Sequence, residues 1–106
     1  MPSYELTALA EEDLRAIARY TIDTWGIKQA RHYECSLLKR FQEIAQGNIT
    51  PRVFLKNRSD LLFTHCEHHY IFYWQPKGRE KPIILAVLHE RMDLMQRLKN
   101  RLRHEA

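Results

Sequence analysis

An imidazole and a guanidinium stand two residues apart at the end of a short apolar run, Ile83-Ile84-Leu85-Ala86-Val87-Leu88-His89-Glu90-Arg91-Met92-Asp93. His89 can exchange a proton near neutral pH, and Arg91 can hold an anionic oxygen through a charge-assisted fork. The run is rich in β-branched residues and bounded by turn residues, which predicts a strand buried on both faces. Alternation along that strand would carry His89 and Arg91 off its end on one face of the sheet. Two readings stay open. Either the pair belongs to a partner-binding or ancestral catalytic surface, or Arg91 pairs with Glu90, Asp93 or Asp60 while His89 caps a backbone carbonyl.

Other residues invite chemistry, each with a plainer rival. Arg97, Lys99, Arg101 and Arg103 form a basic run with Glu105 beside it, suited to an anionic partner but equally to a solvated helical face. Arg58 is a further cation able to bind phosphate. His65, Cys66, Glu67, His68 and His69 have the composition of metal ligands. Adjacent strand residues point to opposite faces and the spacing matches no zinc signature, so a polar hairpin turn is expected and no metal. Cys35 has no histidine placed to activate it. Tyr70, Phe72 and Trp74 share one face of a strand and Ile71 and Tyr73 the other. Of the aromatic residues, Trp74 and Tyr33 are the ones expected to line an exposed apolar groove.

The elements that must position these residues follow from spacing. Leu9, Ala10, Leu14, Ile17, Ala18, Thr21 and Trp25 recur at three and four, with Thr7 as N-cap and Glu11, Glu12 and Asp13 in the first turn, where negative charge suits the helix dipole. Gly26 ends that helix. A second begins at once through Ala30, Tyr33, Leu37, Leu38, Phe41, Ile44 and Ala45, and stops at Gly47-Asn48, so the two form an antiparallel hairpin. Tyr4 to Thr7 reads as a strand added to the sheet. Leu61–Cys66 and Tyr70–Trp74 read as a hairpin around Glu67-His68-His69, followed by a loop over 75–82 and the strand Ile83–Leu88. Asp93 is the N-cap of a last helix, whose Met95, Leu98 and Leu102 share an anchoring face and leave Arg97, Arg101 and Arg103 near solvent; residues after Asn100 should then add little to stability. The order β-α-α-β-β-β-α is α+β.

Composition narrows the functional classes. The chain has 106 residues, enough for one core and one domain, spanning 1–106, and no repeat divides it. Formal charge is +4, from 17 basic residues, eleven of them arginine, against 13 acidic ones. That surplus favours anionic partners without naming one. No run reaches membrane-spanning length, the first residues lack a signal-peptide pattern, and the two cysteines are far apart, so a reducing cytoplasmic setting is expected.

The chain resembles the RelE/ParE superfamily of toxins from type II toxin–antitoxin systems, and within it ParE. The resemblance rests on the opening Tyr-x-Leu-Thr-x-x-Ala-x-x-Asp-Leu (Tyr4, Leu6, Thr7, Ala10, Asp13, Leu14), on Tyr20-Thr21 and Trp25-Gly26, on Arg58-Ser59, on Tyr70 to Tyr73, and on Val87 to Asp93. It implies an N-terminal strand, a helical hairpin packed on a small, mainly antiparallel sheet, and a short C-terminal helix. It also implies a toxin that inhibits DNA gyrase by binding and stabilising the cleaved DNA complex, meets DNA only through gyrase, and is neutralised by a cognate ParD-type antitoxin. No cofactor, no metal and no catalytic residue are implied. The partner-binding residues expected on this basis are Arg58, His89, Arg91, Arg97, Arg101, Arg103, Tyr33 and Trp74.

Two rival readings are a RelE-type, ribosome-dependent mRNA endonuclease and a non-toxic, antitoxin-binding remnant. A nuclease needs a base, an acid and phosphate-holding cations. Residues 92–106 contain no tyrosine and leave His104 as the late titrating group.

Overall fold

A computed structural model describes residues 4–75 and 81–105. Much of the loop expected over 75–82 lies outside the described residues, as does the side chain of Glu105. The elements run β1 Glu5–Leu6, α1 Ala8–Trp25, α2 Ile27–Ala45, β2 Arg52–Val53, β3 Leu61–Cys66, β4 His69–Trp74, β5 Ile83–His89 and α3 Leu94–Glu105. Apart from the two-residue β2, too short to leave a pattern, this is the order expected from the sequence. The five strands form one sheet in the order β1-β5-β4-β3-β2, with β1 parallel to β5 and every other pairing antiparallel.

Local chemistry sets the helix ends. Thr7 accepts the Ala10 N–H through Oγ1 at 3.1 Å, and Asp93 accepts the Gln96 N–H through Oδ1 at 3.2 Å, each an N-cap. Gly26 joins α1 to α2 alone, at φ 93° and ψ 167°, a region open in practice only to glycine. One residue therefore reverses the chain and makes the hairpin antiparallel.

The sheet is covered on both faces. Against the hairpin, Leu37, Phe41 and Ile44 of α2 and Ala10 of α1 pack on Cys66, Ile71, Tyr73, Ile84 and Val87. Against α3, Leu98 is fully buried on Phe63, Phe72, Ala86 and Leu88, with Leu94 and Leu102 beside it. The α3 anchors are thus Leu94, Leu98 and Leu102, while Met95 is 40% exposed. The α1 stripe also behaves differently from its pattern. A helix of 18 residues is about 27 Å long, longer than six- or seven-residue strands at about 3.3 Å per residue. The hairpin tip overhangs the sheet, and Trp25 is 70% exposed rather than packed.

The decisive tertiary feature is at the edge of β5. Strand β1 pairs only with Ile83 and Ile84, and a register shift leaves Leu85 unmatched between Tyr73↔Ile84 and Phe72↔Ala86. Beyond β1 the edge exposes the Leu85 carbonyl and the Val87 N–H, and both are satisfied by side chains. Asp13 Oδ2 accepts from Val87 N at 2.9 Å; Arg101 donates to the Leu85 carbonyl at 2.7 Å and grips both Asp13 oxygens at 2.9 Å. Arg101 is therefore not a solvent-facing cation, contrary to its expected place, and the last turn of α3 is not dispensable. Its side chain is 15% exposed and Asp13's 16%. Loss of one partner strands a largely buried charge and unpairs backbone groups, so Arg101→Met or truncation after Asn100 should cost about 3 kcal/mol, read by urea denaturation. An unchanged midpoint in both variants would show that the clamp contributes nothing to stability.

Candidate functional site

The end of the sheet where β3 turns into β4 and β5 terminates collects most of the titratable chemistry. Glu67, at φ 56°, helps close the two-residue turn, and the pairings Cys66↔His69 and His69↔His89 bring two imidazoles side by side. Their rings meet edge-on at 5.1 Å. Tyr33 reaches this corner from α2: its hydroxyl accepts the His68 N–H at 3.0 Å and meets His69 Nδ1 at 2.5 Å. Burial raises the Tyr33 hydroxyl above its ordinary range, so it remains protonated and donates to Nδ1. Burial first, then the neighbouring His89 and His68, holds His69 down to about 4, and it is neutral at pH 7. A neutral ring accepting at Nδ1 carries its proton on Nε2.

His89 is fixed in the same sense. Its Nδ1 accepts the Arg91 N–H at 3.1 Å, so in the neutral ring the proton lies on Nε2. Thus His89 does not cap a carbonyl. The strand stops at His89, and the Met92 N–H bonds back to the His89 carbonyl at 3.0 Å in a turn. The alternation expected to reach Arg91 ends there; Arg91 is exposed in that turn, and its guanidinium pairs with no described carboxylate. Glu90 instead takes His65 Nε2 at 2.9 Å and His68 Nδ1 at 3.5 Å, and these hydrogen bonds, His65's foremost, lower its carboxyl from the ordinary range. No group of three His, Cys, Asp or Glu among the described residues could hold a metal ion.

Around the β5 edge, α1 and α3 flank a cleft of about 300 Å³. Its polar lining comes from Asp13, His69, His89, Arg97, Asn100, Arg101 and His104, with Leu9, Ile17, Val87 and Met92 among the apolar walls. The structure therefore joins His89, Arg97, Arg101 and His104, separated by up to 15 positions in sequence. Arg103 is exposed on α3 and does not line the cleft.

Arg58 and Trp74 lie elsewhere. Arg58 forks onto Asp60 with both contacts at 3.1 Å, and Trp74 Nε1 donates to Asp60 Oδ2 at 2.6 Å. The Arg58 hydrogen bond, above all, holds the Asp60 carboxyl at about 2. Leu61 pairs with Trp74 and Trp74 with Ile83, so this network sits at the opposite end of the sheet from His69 and His89. Tyr33 and Trp74 consequently do not share a groove. The apolar groove that does exist, about 170 Å³ between α1 and α2, is lined by Leu14, Ile17, Ala18, Ala30, Leu37 and Leu38 among others. Beyond it stand Tyr20, 67% exposed, Ile27, 58%, and Trp25.

Sequence reasoning missed Asp13, His69 and Asn100 as cleft residues: His69, expected in the hairpin turn, is instead the buried first residue of β4. Asp13 looked like an acid complementing the α1 dipole, and its signal was its place in the opening motif. Asn100 carried no signal at all.

The model of the family described as "ParE toxin of type II toxin-antitoxin system, parDE" matches residues 4–94. The chain belongs to the ParE toxin family. A curated relative, Toxin ParE of Escherichia coli, is 43% identical over 103 residues, covering 97% of this chain and 99% of its own. A solved chain from a structure described as the chromosomal ParDE TA system from P. aeruginosa shares the fold, with TM-score 0.64 over 84% of this chain and 98% of that one, at 16% identity. The ParE fold here is thus three helices on a five-stranded, mainly antiparallel sheet.

Burial of neutral His69 carries a pH dependence. Its folded pKa, about 4, lies below the ordinary 6.5. The unfolded chain binds more protons between these values, so the associated stability is complete above pH 6.5 and is lost as pH falls through 6.5 towards 4. Between pH 7 and pH 5 the loss should be about 2 kcal/mol. Thermal unfolding at the two pH values measures it, and His69→Gln should remove most of the slope; a slope that survives the substitution would place its origin elsewhere.

Proposed function

We propose that this ParE-family chain is a toxin that binds DNA gyrase in the cytoplasm, stabilises the cleaved DNA complex, and is neutralised by a cognate ParD-type antitoxin. The observation that carries the reading is 43% identity to a ParE toxin over essentially the whole of both chains. Gyrase breaks and reseals DNA itself. A protein bound more tightly to the cleaved state than to the resealed one shifts the population toward broken DNA without chemistry of its own. The exposed cations Arg91, Arg97 and Arg103 are the residues we assign to contact with the gyrase–DNA complex, with His89 at the edge of that surface. The antitoxin takes the hairpin, where Tyr20, Trp25 and Ile27 leave a large apolar surface beside a groove. Strand addition at β5 is disfavoured there, because Asp13 and Arg101 already occupy the edge groups.

A second reading, mRNA cleavage, is favoured by His89 and His104 lining one cleft with Arg97. Three features weigh towards binding instead. Arg58 is held by Asp60 at the other end of the sheet, Asp13 is consumed by Arg101, and His69 and His89 each have Nδ1 occupied as an acceptor inside the protein.

Purified protein should inhibit gyrase supercoiling and accumulate cleaved DNA while leaving ribosome-bound mRNA intact. His89→Ala should retain toxicity, and Arg91→Ala should weaken inhibition by ~1.5–3 kcal/mol in apparent binding, the scale of a charge-assisted contact. Trp25→Ser should weaken antitoxin binding by about 2 kcal/mol or more with the fold intact. Codon-positioned mRNA cleavage abolished by His89→Ala would move the assignment to the nuclease, and antitoxin binding without either toxic activity would mark a remnant.

A further inference from the structure

The cleft between α1 and α3 shares Arg97 and His89 with the surface assigned to the gyrase–DNA complex, and it has a chemical bias of its own. His69 and His89 each spend Nδ1 as an acceptor inside the protein, one from the Tyr33 hydroxyl and the other from the Arg91 N–H. Both rings line the cleft, and in their neutral forms the remaining nitrogen of each is an N–H donor without a partner among the described residues. Arg97 brings a guanidinium to the same wall, and Asn100 an amide whose oxygen already accepts from Gln96 at 3.1 Å. Among the described residues the one carboxylate there, Asp13, has both oxygens taken by Arg101 and its charge compensated. Donors line most of the space, its carboxylate and amide oxygens are taken, and His104 adds a further imidazole to the wall.

We propose that this cleft binds a phosphate group, with the Nε2–H groups of His69 and His89, the Arg97 guanidinium and the Asn100 amide as its donors. A tetrahedral oxyanion offers acceptors in several directions to such a converging set, and hydrogen bonds to a charged oxygen are the strong ones. Among the described residues a cation meets no free carboxylate here, and a carboxylate ligand offers one plane to donors arriving from β4, β5 and α3. At about 300 Å³ the space equals roughly ten waters, more than a bare phosphate fills. Leu9, Ile17 and Met92 give the surplus an apolar wall, so the ligand is a phosphate ester carrying at least a sugar-sized group. That ester is either a free phosphorylated small molecule or one unit of a nucleic-acid backbone.

The test uses the full-length protein, titrated with inorganic phosphate, a nucleoside 5′-monophosphate and a dinucleotide, and followed through the imidazole nitrogens by NMR. Saturable shifts at His69 and His89 Nε2 are expected with each probe, the tautomers being retained. Arg97→Gln should weaken binding about tenfold. Lys99→Gln, an equal change of net charge on the same helix but outside the cleft, should leave affinity unchanged. The monophosphate binding more tightly than the dinucleotide supports a free phosphorylated ligand, and the reverse order supports a nucleic-acid backbone. Equal losses in the Arg97 and Lys99 variants would reduce the effect to general electrostatic attraction and overturn the proposal, as would imidazole signals unmoved at millimolar probe. Because the readout is binding, the result is independent of whether gyrase proves to be the toxin's target.

Discussion

The Asp13–Arg101 ion pair ties α1 and α3 to each other and to one edge of β5. Strand β1 covers two residues of β5 and then the chain leaves to start α1, so the most buried strand would face solvent with an unpaired carbonyl and N–H. Orphaned backbone groups at such an edge cost free energy and invite pairing with another chain. Asp13 and Arg101 supply the missing acceptor and donors while neutralising each other. The same four contacts bind α1 and α3, on opposite faces of the sheet, to one edge. The cleft lies beside the point where that ion pair ties the two helices together.

Polar groups elsewhere follow the same rule of mutual satisfaction. Asp60 accepts from Arg58 and Trp74 at one end of the sheet; Glu90 accepts from His65 and His68 at the other. The Tyr33 hydroxyl accepts the His68 N–H and donates to His69 Nδ1, while His89 Nδ1 separately accepts the Arg91 N–H, so the neutral tautomers of His69 and His89 are each settled by a neighbour. Among the described residues no buried side-chain nitrogen or oxygen lacks a partner.

The apolar excess has a different origin. Helices lengthened beyond the strands they cover cannot bury their last turns, so α1 and α2 end in a solvent-facing group of Tyr20, Trp25 and Ile27. A monomer gains nothing from this exposure, whereas a toxin that must be captured by an antitoxin gains a recognition surface. Separation matters too: the hairpin tip and the cationic turn after β5 lie on different elements, so the two surfaces can serve different partners.

The sequence by itself determined the order of every element but β2, the N-caps at Thr7 and Asp93, the reversal at Gly26, the buried middle of β5 and the family resemblance, because each depends on residues close in the chain or on an ordered set of motifs. It did not reveal that Arg101 is buried beside Asp13, 88 positions away, or that Arg58 and Trp74 share a carboxylate far from Tyr33. Hydrophobic periodicity reports which face of an element is buried but not which ionic group reaches a given sheet edge. That choice depends on the end of β1, the register shift at Leu85 and the angle of α3. Trp25 shows the converse limit: its spacing marks the apolar stripe, yet only the relative lengths of helix and strand decide whether that stripe has anything to pack against.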